Sequence, residues 1–139
     1  ALIEPLTAAR AISGRHGSTL EQRVLARFIN EGHLARHVRR MRAVYRERQD
    51  VLLDACCSAL AGRLVVERAQ SGLQTMAWLR PGADDQRVAA QAQQAGIALA
   101  ALSRFRLQTE RAPALVMGFG GFDATSIRNA VRTLAKLDF

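Results

Sequence analysis

The pattern of apolar and polar positions predicts helices in the first half of the chain. Residues 3–12 are typical of a short helix, and a glycine-containing break follows at 13–18. Ser18 and Glu21 form a capping-box pattern, in which each side chain satisfies a backbone amide at the start of a helix. Gly32 is well placed to end that helix. Its apolar residues recur at helical spacing, and they are Leu20, Val24, Leu25, Phe28 and Ile29.

A longer amphipathic helix is predicted from residue 33 to about residue 60. Its apolar residues recur every three or four positions over roughly seven or eight turns, and Arg48 interrupts the stripe once. The stripe consists of Leu34, Val38, Met41, Tyr45, Leu52, Cys56 and Ala59.

Shorter elements follow this helix. Residues 64–67 and 73–79 are β-compatible runs, and the Gln-Ser-Gly segment between them predicts a hairpin. Asp84 or Asp85 then caps a helix whose apolar face ends before Gly96.

The last third of the chain completes the pattern. Residues 97–102 predict a strand, the arginine-rich residues 103–113 a loop, and residues 114–119 a buried strand. After a glycine turn, Asp123 caps a final helix that runs through Leu137. Helices come first, and strands and helices then alternate. We therefore predict an α/β fold, more closely an α+β two-layer domain, with three or four strands packed against helices and residues 1–139 forming one domain.

Composition is consistent with one packed core, because 49% of the 139 residues are hydrophobic. Apolar runs are short and interrupted, so no transmembrane helix is predicted. The start of the chain lacks the pattern of a secretory signal, and its first residue is not methionine, which suggests trimming or a fragment. Cys56 and Cys57 would point about 100° apart on a helix, which disfavours a mutual disulfide and indicates reduced thiols in a cytoplasmic protein.

The formal net charge of +8 raises nucleic acid as a partner. The acidic residues Glu47, Asp50 and Asp54 lie within helical reach of the arginines on the long helix, which favours a solvated or interdomain face over a DNA surface. A free-standing nucleic-acid-binding module is kept as a further candidate function. The arginines concerned are Arg36, Arg39, Arg40, Arg42, Arg46 and Arg48.

No catalytic or metal site is predicted. His33 and His37 stand four residues apart, but no carboxylate or cysteine offers a third ligand at matching spacing. We also find no Ser-His-Asp set, no paired catalytic carboxylates and no phosphate-binding glycine loop.

Three segments resemble MocR-type regulators of the GntR family. The most specific is Leu-Ala-Arg-Phe-Ile-Asn-Glu-Gly-His-Leu-Ala-Arg-His at 25–37, continued by the arginine-rich residues 39–50. Ser-Gly-Leu-Gln at 71–74 and Val-Met-Gly-Phe-Gly-Gly at 116–121 resemble strand motifs of that family. The similarity extends over essentially the whole chain.

The resemblance implies that this chain is the carboxy-terminal small subdomain of an aminotransferase-like domain of fold type I. In that family an amino-terminal winged helix binds DNA, and the aminotransferase-like domain binds pyridoxal phosphate, senses an effector and dimerises. The residues that hold the cofactor belong to the preceding large domain. The implied partners are that large domain, a second protomer and, through the absent winged helix, DNA. Pyridoxal phosphate is implied for the parent protein and not for this chain.

The lysine content agrees with this assignment. A Schiff base requires a lysine amine held in a dry pocket. Lys136 is the only lysine in the chain, and it lies on the final helix outside the apolar stripe. We therefore expect no catalytic or cofactor-binding residue here and no turnover by the isolated chain; whether the parent protein is an enzyme stays open.

One position departs from the pattern of true aminotransferases. They carry an arginine on the last strand, three residues before a phenylalanine, that binds the substrate carboxylate. Here that position is Val116. Ligand binding is therefore expected from Arg104 or Arg111 in the adjacent loop, or the ligand is not an amino acid. The leading hypothesis is a regulatory domain, and the alternative is the small domain of a genuine class I/II aminotransferase.

Overall fold

The computed structural model of this chain describes residues 2–14, 18–106 and 112–139. Helices and strands in these ranges follow the predicted order closely. They are α1 (Ile3–Ser13), α2 (Thr19–Asn30), α3 (His33–Ala59), β1 (Leu64–Val66), β2 (Gln74–Leu79), α4 (Asp85–Gln94), β3 (Ala100–Ala101), a 3₁₀ helix (Leu102–Phe105), β4 (Ala114–Gly118) and α5 (Ala124–Ala135).

The chain divides into two compact units, residues 1–42 and residues 43–139. The first unit holds α1, α2 and the start of α3, and no residue of α1 or α2 is buried. On α2 the predicted apolar stripe is present and exposed: Val24 is 60% exposed and Phe28 is 42% exposed. Such a stripe is typical of a helix that packs against another surface.

Local contacts order the start of α2 and the corner between α2 and α3. The Ser18 hydroxyl accepts a hydrogen bond from the Glu21 amide at 3.4 Å, which confirms the Ser18 half of the predicted capping box. Glu31 pairs with Arg27 at 2.5 Å and with Nε2 of His33 at 3.2 Å. The pKa of Glu31 is lowered, first by the hydrogen bond from Arg27 and then by that from His33. His33 therefore has a local structural partner.

The second unit contains a four-stranded sheet in the order β1-β2-β4-β3, with every neighbouring pair antiparallel. The predicted hairpin is confirmed, since Leu64 lies opposite Leu79 in the β1–β2 pair. In the β2–β4 pair, Thr75 lies opposite Met117. The last strand in the chain is thus an interior strand of the sheet.

Alternation along the strands separates an inner face from an outer face. Thr75, Ala77 and Leu79 of β2 are buried on the inner face, and Leu115 and Met117 of β4 lie on the same side. Helices α3, α4 and α5 complete this core, and their buried apolar side chains are Leu52, Cys56, Val88, Ala92, Ile127, Val131 and Leu134. The predicted α+β two-layer architecture is confirmed.

The predicted strand at 97–102 is wrong in extent, since β3 holds two residues and the 3₁₀ helix follows at once. At its start, Gly96 has a φ of 80° and the Ile97 amide donates to the Ala92 carbonyl at 2.8 Å, which ties the chain to α4 instead of the sheet. At its end, Ser103 binds the carboxylate of Asp85. The start of the segment is therefore drawn towards α4, and its end forms the turn that Asp85 links to both α4 and β4.

Truncating Leu60 should destabilise the second unit. Its side chain is fully buried in the core, so Leu60→Ala leaves a cavity and is expected to lower the free energy of unfolding by about 2–5 kcal/mol. Urea denaturation followed by circular dichroism measures this change. Val65→Ala is the matched control, because Val65 is 67% exposed and its truncation should cost no more than about 0.5 kcal/mol. Equal losses for the two variants would contradict the core assignment.

The cap of α5 should make stability depend on pH. Asp123 accepts from the Ser126 amide at 2.7 Å, and this hydrogen bond, with smaller help from the charge of Arg48, lowers the pKa of Asp123. Its stabilisation is therefore complete above the unfolded-state pKa and is lost as the pH falls through the lower folded-state pKa. Asp123→Ala should lower the melting temperature at neutral pH.

Asp123→Asn is the control for this effect, because asparagine keeps a cap acceptor but does not titrate. The difference in melting temperature between the wild type and Asp123→Asn should shrink on acidification. A difference that stays constant from neutral pH to pH values below the ordinary aspartate range would disprove the linkage.

Candidate functional site

Of the two predicted ligand-binding arginines, the structure places one. Arg104 lies exposed on the 3₁₀ helix, directly after the edge strand β3. Arg111 lies outside the described residues. A guanidinium at this position can donate paired hydrogen bonds to a carboxylate or phosphate.

A buried carboxylate positions the turn that carries Arg104. Asp85 is 4% exposed and accepts from the amide of Ser103 at 3.0 Å and from its hydroxyl at 2.6 Å. The amide of Ala114, the first residue of β4, also donates to it at 3.4 Å. Across the same loop, Arg106 donates to the Ala112 carbonyl at 2.9 Å. Both ends of the loop are therefore fastened, and Asp84 alone serves as the N-cap of α4.

The turn after β4 is built around the glycines of the Val-Met-Gly-Phe-Gly-Gly segment at 116–121. The guanidinium of Arg48 donates a hydrogen bond to the Gly120 carbonyl, and the Phe119 amide donates to the Leu73 carbonyl at 3.0 Å. A Cβ atom on Gly120 would lie 2.9 Å from Cδ1 of Leu73, so a larger residue here would displace the Leu73 side chain. Arg48 interrupts the apolar stripe of α3 because it reaches this turn.

Val116 lies on the outer face of the sheet. Its cross-strand neighbours are Met76 on β2 and Ala100 on β3, and Trp78 and Val65 form a further pair on this face. None of these four neighbours is basic, so they offer a ligand carboxylate no cationic partner. The indole Nε1 of Trp78 is buried and has no hydrogen-bond partner within the described residues. An antiparallel sheet with one solvated face normally places polar residues there.

The only lysine does not fit a Schiff-base role. Lys136 is the C-cap residue of α5, where its amide donates to the Thr133 carbonyl, and the residue is exposed. An amine in this position remains hydrated, whereas a Schiff-base lysine is held in a dry pocket. Lys136 therefore lacks the environment that a Schiff-base lysine requires.

Other chemistry is limited in the described ranges. Within them, no group of three or more His, Cys, Asp or Glu residues could hold a metal ion, and no helix is long and apolar enough to cross a membrane. Cys56 and Cys57 are both free thiols, the first buried and the second exposed. Burial raises the pKa of the Cys56 thiol to about 11, so it stays protonated at neutral pH.

Sequence reasoning missed a pair of arginines that anchor the end of the chain. Arg63 donates to the carbonyls of Ala135, at 2.8 Å, and Leu137, and its guanidinium lies 4.1 Å from the ring centroid of Phe139. Arg80 donates to the Phe139 carbonyl at 3.1 Å. No local pattern predicts these contacts, because the partners lie 59 to 74 residues apart in sequence. The role of Asp85 was missed for the same reason.

Replacing Asp85 should loosen the loop that carries Arg104. Asp85→Asn replaces the carboxylate with an amide, whose oxygen is a weaker acceptor. Its NH₂ group would also face the amide and hydroxyl donors of Ser103 and the amide of Ala114. We expect amide hydrogen exchange at Ser103 and Ala114 to accelerate about tenfold or more, since a buried charge-assisted hydrogen bond contributes roughly 1.5–3 kcal/mol. Asp84→Asn is the matched control, as it preserves the helix cap. Unchanged exchange in Asp85→Asn would refute this role.

Comparison with known proteins connects this geometry to two groups. No family model matches the chain. It is 33% identical over 122 residues to the probable rhizopine catabolism regulatory protein MocR of Rhizobium meliloti, covering 88% of this chain and 25% of that protein. It is 28% identical over 133 residues to the uncharacterized HTH-type transcriptional regulator YhdI of Bacillus subtilis, covering 96% of this chain and 28% of that protein. The chain thus spans about a quarter of these regulators.

Solved structures with a similar fold are aminotransferases. Kynurenine aminotransferase of Pyrococcus horikoshii superposes with a TM-score of 0.81 at 20% identity, over 97% of this chain and 33% of that one. LysN, the α-aminoadipate aminotransferase of Thermus thermophilus, gives 0.79 at 21% identity, over 96% and 34%. The chain therefore has the fold of part of a fold type I pyridoxal phosphate aminotransferase and is similar in sequence to regulators of the MocR type.

Proposed function

We propose that this chain is the carboxy-terminal small subdomain of the effector-sensing and dimerisation domain of a MocR-type transcriptional regulator of the GntR family. The observation that carries the proposal is the contrast between sequence and fold. Identity to the regulator MocR is 33%, whereas identity to aminotransferases with TM-scores near 0.8 is 20 to 21%. The chain shares its architecture with the enzymes and more of its sequence with the regulator.

The environment of Val116 supports a regulator over an enzyme. Val116, Met76 and Ala100 form an apolar patch on the outer sheet face. Desolvating a substrate carboxylate against this patch would cost free energy without a compensating ion pair. We propose that Arg104 or Arg111, on the neighbouring loop, binds the effector instead. The other possibility is that the effector carries no carboxylate.

Two apolar surfaces support the proposed partners. One is the exposed stripe of α2 in the first unit, and the other is the outer sheet face of the second unit, where Val65 is exposed and Met76 and Val116 are partly exposed. Exposed apolar side chains favour contact with another protein surface over water. The proposed occupants are the large aminotransferase-like domain of the same protein and a second protomer of a homodimer.

Cofactor and DNA binding belong to other parts of the proposed parent protein. The similar kynurenine aminotransferase was solved with PMP and LysN with N-(5'-phosphopyridoxyl)-L-leucine, which supports pyridoxal phosphate as the cofactor of the parent. Lys136 is exposed, so we propose that this chain alone binds none. DNA contact is assigned to an amino-terminal winged helix, in keeping with the HTH-type description of the regulator YhdI, and the parent is placed in the cytoplasm.

The alternative function is the small domain of a genuine class I/II aminotransferase. It is favoured by the fold that the chain shares with the two aminotransferases described above. The sequence that precedes Ala1 in the gene separates the two functions. A winged helix-turn-helix upstream of a large domain supports the regulator, and an open reading frame that begins at the large domain supports the enzyme.

Reaction with pyridoxal phosphate tests the assignment of this chain. After mixing the cofactor with the 139-residue chain and with the parent protein, we expect the aldimine absorbance band and borohydride trapping in the parent alone. The physical reason is that a solvated lysine forms only a weak, readily hydrolysed Schiff base. Lys136→Arg controls for nonspecific trapping on the chain. Stoichiometric trapping on Lys136 of the chain would overturn the proposal.

A further inference from the structure

A cavity of about 420 Å³ opens between α5, the turn at residues 95–99 and the end of β4. All of its lining residues belong to the second unit, from Leu52 to Leu134. Its volume falls in the range of small-molecule sites, about 300–1,000 Å³. It lies on the inner side of the sheet, whereas the patch around Val116 lies on the outer side, so the two are separate.

The cavity exists because the edge strand leaves the sheet early. Pairing between β3 and β4 stops at Ala100 and Val116. Continued in the same register, Leu99 would face Met117 and Ala98 would face Gly118, yet residues 97–99 are not in a strand. These four residues all line the cavity. The cavity occupies the position that the next two residue pairs of β3 and β4 would take.

Small residues on both walls keep this space open. The turn contributes Ala95, Gly96 and Ala98, and α5 contributes Ser126 and Ala130. Protein interiors rarely leave voids larger than a water molecule, because unfilled space forfeits dispersion contacts. At the edge of the cavity, Phe122 is 58% exposed, so a bound molecule would remove a large aromatic side chain from water.

The lining chemistry defines what can bind. None of the described side chains that line the cavity is charged. Its buried lining residues are all apolar: Leu52, Met117, Ile127, Val131 and Leu134. Three neutral polar side chains, Ser126, Asn129 and Thr133, follow one stripe of α5 and are less buried. A phosphate or carboxylate would be desolvated here without a cationic partner, which disfavours anions.

We propose that this cavity is a binding site for a small, uncharged, mainly apolar molecule with one hydrogen-bonding group. The apolar body lies against Met117 and Leu52, and the polar group meets Asn129 or its neighbours on α5. Charge matching supports this choice, because neutral walls recognise a neutral ligand. The site is independent of the cofactor and effector roles proposed above.

The test uses the 139-residue chain and two probes with the same aromatic body, 1-naphthol and the anion 1-naphthoate. Saturable chemical-shift changes in ¹H–¹⁵N spectra are expected with 1-naphthol at Ala98, Met117 and Asn129. At matched ionic strength, 1-naphthoate should bind at least about tenfold more weakly, because its charge is not compensated. Ala130→Leu fills the cavity and should weaken 1-naphthol binding by about tenfold or more.

Thr125→Leu is the matched control, since Thr125 is exposed on the same helix and does not line the cavity. It should bind 1-naphthol as the wild type does, and the melting temperature of both variants verifies that they fold. Absence of saturable shifts up to the solubility limit would overturn the proposal. So would equal binding by Ala130→Leu or equal binding of 1-naphthoate.

The longer parent protein provides the final arm of this experiment. Binding of 1-naphthol by both the chain and the parent supports a small-molecule site. Binding by the chain and none by the parent would mean that a segment of the protein itself fills the cavity, and would overturn the proposal. Pyridoxal phosphate trapping in the parent is read separately, so failure at this cavity leaves the proposed function untouched.

Discussion

Strand β4 is the element on which the second unit depends. It pairs with β2 on one side and β3 on the other, and its inner face places Leu115 and Met117 in the core. The amide of Ala114, its first residue, donates a hydrogen bond to the buried carboxylate of Asp85. In the turn that follows its last residue, the Gly120 carbonyl accepts a hydrogen bond from Arg48. The loop with Arg104, the patch at Val116 and the cavity beside Gly118 all take their positions from this strand.

Periodicity predicted most of the fold because the sequence is locally consistent. The caps at Ser18, Asp84 and Asp123 and the β1–β2 hairpin are each encoded within a few residues, and each is present. Along α3 the predicted stripe is buried at Leu52 and Cys56, whereas Leu34, Val38 and Ala59 are exposed. The strand predicted at 97–102 failed because two hydrogen bonds to α4 outweigh the β propensity of its apolar residues. The hydrogen bond from Ser103 to Asp85 spans 18 residues, so it leaves no short-range signal in the sequence.

The candidate sites were less accessible to sequence reasoning than the fold was. The departure at Val116 is visible only through resemblance to aminotransferases, and the apolar surroundings that give it meaning come from strand register. Arg104 was predicted from its loop, and the structure adds the buried carboxylate that fixes the turn beneath it. The cavity arises because β3 and β4 lack two further residue pairs beyond Ala100 and Val116. This absence follows from the direction of the backbone and not from residue type.

The order of strands in the sheet has a consequence for how the chain acquires its structure. The hairpin of β1 and β2 is local, but β2 receives its second neighbour from residues about forty positions later in the chain. Until β4 pairs with β2, one edge of β2 can form backbone hydrogen bonds with a strand of another molecule. The apolar side chains on both faces of the hairpin are also exposed to other molecules during this time. Such non-local pairing slows folding and lengthens the time during which a nascent chain is prone to aggregate. Closure of the sheet by β4 therefore protects the newly made protein as well as shaping its sites.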